Sequence, residues 1–138
     1  MRIPDGIPGI KWITVIWGVY VVVWATLESG LWATVFAAVL TVIALFGHLF
    51  NRFLSGRMLS PVVWLVVTAV FGALFGLGSA LLTLIFMAIK TGIHAHGPEY
   101  STLELNWVFQ QIPLWALAGL LGGLGLGLLL IAVSAQAD

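Results

Sequence analysis

Two histidines and a glutamate form the one constellation in this sequence with the spacing of a metal-holding site. His94 and His96 flank a single alanine, and Glu99 follows three residues later. Imidazoles from an H-x-H turn with a nearby carboxylate suit a divalent cation, and Glu28 falls on the same expected side of the chain. The leading reading of the same residues is a solvated interfacial pair that holds no metal, with the metal site as the alternative. The third histidine, His48, precedes Arg52 by four residues at the end of an apolar run, where its ring can face lipid headgroups. It alone approaches the placement of a haem ligand, and no cofactor is assigned to it. Cysteine is absent, which excludes disulfides, thiolate catalysis and Cys-type metal sites. No H-E-x-x-H, phosphate-binding loop, nucleophile elbow or dinucleotide fingerprint occurs, so no catalytic residue is assigned.

The elements that position these side chains are built almost wholly from apolar residues. Of 138 residues 62% are hydrophobic and 7% charged, five Lys+Arg balance five Asp+Glu, and the mean hydropathy is +1.15. A soluble domain carries about 25% charged residues, so this composition is that of an integral membrane protein. The neutral balance offers no electrostatic handle on nucleic acid. Charge-free stretches cover 12–27, 29–51, 58–89 and 105–137. With roughly 20 residues needed per crossing, they predict an all-α antiparallel bundle of four transmembrane helices forming one domain, over 11–27, 31–50, 61–89 and 113–133.

The boundaries follow from local chemistry. Prolines and glycines in residues 1–10 oppose a helix and leave a short interfacial segment. Lys11 and the run after it resemble a secretory signal, yet a second apolar run begins within four residues and no small-x-small cleavage site intervenes, so the run is read as retained. Glu28-Ser29-Gly30 marks a helical hairpin with Glu28 in the headgroup layer. Pro61 suits the first turn of a helix. The run it opens is long enough that it must tilt, protrude or break, with residues 72–79 the weakest point. Ser101 and Glu104 form a capping box, and Leu105, Val108, Phe109 and Ile112 share one face. This spacing predicts a short amphipathic helix on the membrane over 102–112, ended by Pro113.

Charge and tryptophan placement give an orientation. Arg2, Lys11, Arg52 and Arg57 fall on the side of the termini, whereas Lys90 stands with Glu28, Glu99 and Glu104 on the other. That asymmetry predicts both termini in the cytoplasm; the membrane expected is the bacterial inner membrane, with an equivalent organellar membrane as the alternative. Trp12 and Trp64 mark the inner boundary, Trp24, Trp32, Trp107 and Trp115 the outer one, and Trp17 lies deeper.

Helices in lipid associate through close packing and polar contacts. Small residues recur every fourth position at Gly72, Gly76 and Ala80, and again at Gly119, Gly123 and Gly127. These stripes fit either packing of the third span on the fourth or a seam with another copy or subunit. No acidic or basic residue falls in the membrane interior of an expected span, which opposes ion-coupled pumping. The leading expectation is a non-enzymatic protein that works by helix association, as accessory subunit or homo-oligomeric scaffold. A passive channel formed by oligomerisation, and a metal-binding or enzymatic protein using His94, His96 and Glu99, are the alternatives.

Overall fold

The computed structural model describes Ile3 and residues 6–94 and 99–136. Met1, Arg2, Pro4, Asp5, Ala95, His96, Gly97, Pro98, Ala137 and Asp138 lie outside the described residues, and with them fall the expectations placed on Arg2 and His96. The described chain forms four helices, α1 (Ile10–Ala25), α2 (Leu31–Phe53), α3 (Pro61–Ile93) and α4 (Thr102–Gln136). Three of them, α2, α3 and α4, are long and apolar enough to cross a membrane; α1 is a shorter apolar helix of 16 residues.

Successive helices run antiparallel, and side-chain pairs fix the register of each contact. Along α1 and α2, Thr14 meets His48 at 2.9 Å and the Trp17 indole N–H donates to Thr41 Oγ1 at 3.0 Å. Asn51 Oδ1 accepts from the Ile7 backbone N–H at 2.8 Å, just ahead of α1. Along α2 and α3, the Phe46 ring meets Phe71 and Phe75 edge to face at 5.4 and 5.8 Å. The helices α1, α2 and α3 touch one another, while α4 packs chiefly on α3 and stands outboard of the other two.

The α3–α4 contact is backbone on backbone. A Cβ built on Gly72 would fall on the Gly119 carbonyl oxygen, one on Gly76 on that of Trp115, and one on Gly123 on that of Thr68. Gly127 faces the Thr68 side chain, and Ala80 is completely buried. This close approach explains why α3 runs unbroken through Gly72–Ser79, where the sequence alone marks a weak point. The glycines that thin the helix are held by the neighbouring backbone.

Two of the differences from the expected boundaries bear on the site. Helix α3 continues past residue 89 to Ile93, which places Lys90 inside it. Helix α4 is continuous from Thr102 to Gln136 with Pro113 inside it, so 102–112 is not a separate helix ended by proline. The capping box does start the helix: Glu104 Oε2 accepts from the Ser101 backbone N–H at 2.8 Å, and Ser101 Oγ from the Glu104 N–H at 3.3 Å. Val108 explains the rest. It is fully buried in a cluster with Met87 and Tyr100, so these turns stack on the upper part of α3. Pro113 deprives the Phe109 carbonyl of one donor, a loss a helix tolerates when neighbouring contacts hold its two halves in line.

Candidate functional site

Lys90 organises one end of the bundle, together with Trp24, Ser29, His94 and Glu99. Helix α3 brings it there because residues 76, 80, 83, 87 and 90 recur at three- and four-residue spacing, and all five are buried. The last of that stripe is a lysine with none of its surface exposed.

Each of the three ammonium protons has an acceptor. Lys90 Nζ donates to Ser29 Oγ at 3.0 Å and to the Leu27 carbonyl, and it pairs with Glu99 Oε1 at 3.1 Å. The charge also stands 4.6 Å from the centre of the Trp24 ring, whose negative face attracts it. Glu99 Oε1 accepts in addition from the Ser29 backbone N–H at 3.1 Å. Its Oε2 stands 3.0 Å from His94 Nδ1, a charge contact rather than a well-directed hydrogen bond. The His94 ring spans two carbonyls, with Nδ1 3.1 Å from that of Lys90 and Nε2 3.3 Å from that of Thr26. Carbonyls just past the end of α1 therefore face Lys90 and His94, the arrangement that the negative end of a helix favours.

The electrostatics follow from these contacts. Burial alone would raise the Glu99 carboxyl, but the Ser29 N–H and the Lys90 ammonium, with His94 adding, hold it below its ordinary value. Tyr100 follows in the chain, and its hydroxyl shares a hydrogen bond of 2.6 Å with Thr34 of α2 in a buried setting. Burial pushes its phenol up, a shift that the Thr34 bond partly offsets.

This is the chemistry of a clasp. Lys90 is enclosed, and its contacts tie the α1–α2 hairpin to α3 and to the segment that leads into α4. The sequence pointed to His94, His96 and Glu99; the structure brings His94 and Glu99 together, and His96 is outside the described residues. Among the described residues no group of three or more His, Cys, Asp or Glu stands close enough to hold a metal. Lys90 pairs with Glu99 Oε1, and Oε2 faces His94. Sequence reading placed Lys90 and Trp24 only as markers of the outer side and gave no role to Ser29 or Tyr100, although the buried stripe on α3 carried the signal for Lys90.

The helix-packing residues form the second candidate site. Gly72, Gly76, Gly119 and Gly123 meet in the α3–α4 contact, whereas Gly122 and Gly125 face open space, with nothing within 4 Å of a built Cβ. Comparison with family models, characterised proteins and solved structures gave no match.

Proposed function

We propose that the chain is a non-enzymatic four-span membrane protein that works by helix association, as an accessory subunit or homo-oligomeric scaffold of a bacterial inner membrane. The observation that carries this reading is the outboard position of α4. It is a helix of 35 residues whose most apolar stretch has a mean hydropathy of 2.4, and only 6% of that stretch is buried inside the chain. Its seam glycines are spent on α3, and Gly125 with Leu121 and Leu128 remains uncovered on the side that faces away. A smooth apolar face of that kind admits the close approach on which association in lipid depends.

The polar side chains support the same reading over a conducting path. Thr14, Trp17, Thr41 and His48 pair helix to helix, Thr34 pairs with Tyr100 ahead of α4, and Lys90 is closed in by Glu99. In this reading α1 is the fourth crossing and both termini lie in the cytoplasm, with Lys11, Arg52 and Arg57 at that end against Lys90 at the other. The outer turns of α4, over 102–112, rise beyond the hydrocarbon beside the upper part of α3.

Native mass spectrometry after mild extraction tests the proposal. The expected result is a defined assembly, with a second copy or another membrane subunit, that Gly125→Leu disperses without lowering the melting temperature of the single chain. A monomer that carries solute across reconstituted vesicles would overturn it in favour of a facilitator.

A further inference from the structure

The outboard stance of α4 opens a groove between α2 and α4, floored by the glycine seam. Its larger part encloses about 850 Å³ between Phe46 and Phe50 on one wall and Leu126 and Val133 on the other, with Trp64 at the end near the α2–α3 turn. A smaller part of about 360 Å³ continues it past Phe75 and Gly119. We infer that this groove binds the acyl chains of one anionic phospholipid, whose headgroup lies at the α2–α3 turn.

Three observations favour that occupant. The first is shape. From Gly119 to Ser134 the larger part follows α4 for roughly 22 Å as an elongated apolar channel, and its floor at Gly72 and Gly119 is bare backbone that extended hydrocarbon chains can lie against. The second is charge. Leu54 closes the groove just ahead of the turn that carries Arg57, and Arg57 and Arg52 are exposed. Among the described residues neither arginine has a carboxylate partner: Arg52 lies over the Phe53 ring, and the described carboxylates Glu28, Glu99 and Glu104 belong to the opposite end. Basic residues beside a membrane each favour anionic lipid by about fivefold in binding. The third is an unmet donor. Trp64 is 4% exposed and forms part of the groove wall, yet its indole N–H has no acceptor among the described residues. A lipid ester carbonyl at that depth supplies one.

The test uses the full chain in detergent, offered phosphatidylglycerol and phosphatidylcholine in equal amounts, with bound lipid counted by native mass spectrometry. Wild type is expected to retain one phosphatidylglycerol in preference to phosphatidylcholine. Gly122→Leu fills the groove from a position where a side chain meets open space and should remove the bound lipid; Leu126→Trp does the same from a second position should the first variant fold poorly. Gly125→Leu, outside the groove lining, should keep it, which separates this site from the association face. Arg57→Gln should reduce the preference for phosphatidylglycerol about fivefold. Undiminished lipid in both filling variants, equal retention of the two lipids by wild type, or a second copy of the chain as the species displaced would each overturn the inference.

Discussion

Lys90 is the residue on which the largest single-site effect is expected. Removing its ammonium leaves Glu99 with two neighbouring N–H and imidazole contacts but no full balancing charge, and breaking a buried pair from one side costs about 3 kcal/mol. Lys90→Met should therefore lower thermal stability in detergent strongly, while Lys90→Met with Glu99→Gln recovers much of the loss. A double mutant as unstable as the single would show that packing rather than charge sets the effect. Glu99 also sets a pH dependence. Its carboxyl is held below the ordinary 4.5, so the stability it contributes is fully present above that value and disappears as pH falls through the lowered one. Melting temperature against pH should show an acid limb that Glu99→Gln removes. The His94–Glu99 contact was legible in the sequence because both residues are polar within an apolar chain. Lys90 was less so, since a lysine at the end of an apolar run reads as an ordinary headgroup anchor. Only its phase on α3, in step with Ala80, Thr83 and Met87, shows that it faces inward.

The α3–α4 pair makes the sharpest demand on side-chain size. Carbonyl oxygens of Gly119 and Thr68 occupy the places where a Cβ on Gly72 or Gly123 would sit. Gly119→Ala should cost about 1–3 kcal/mol in thermal stability and Gly123→Leu more, because the opposing atoms are backbone and cannot swing aside. Gly125→Ala, in open space, should leave stability unchanged or raise it by under about 1 kcal/mol. Equal losses at 119 and 125 would mean that the seam lies on another face. The stripes that carry this contact, Gly72-x-x-x-Gly76 and Gly119-x-x-x-Gly123-x-x-x-Gly127, were plain in the sequence, but spacing alone does not distinguish an internal contact from one with a second chain. The continuity of α4 was harder to see. Pro113 is the usual sign of a helix end, and only the burial of Val108 against Met87 and Tyr100 shows why the helix carries on.

The placement of the whole chain across a bilayer turns on α1. At about 1.5 Å per residue its 16 residues span roughly 24 Å, short of a hydrocarbon core of about 30 Å, whereas α3 and α4 at roughly 50 Å exceed it. Trp12 and Trp24 near its two ends, and the contacts that hold its C-terminal end on Lys90 and His94, would let a crossing α1 be met by a thinned bilayer or by extended flanking residues. A chain without cysteine allows this to be tested one introduced thiol at a time. Ile7, Leu27, Met58 and Leu103 are 42%, 56%, 78% and 80% exposed; the first three lie just outside helices, and Leu103 lies in the first turn of α4. In intact cells a membrane-impermeant maleimide should label Leu27→Cys and Leu103→Cys, and should reach Ile7→Cys and Met58→Cys only after permeabilisation. Labelling of Ile7→Cys together with Leu27→Cys from outside would leave α1 lying on the membrane rather than through it. The chain would then cross three times with its termini on opposite faces, and the excess of arginine at the α2–α3 turn would alone set its orientation.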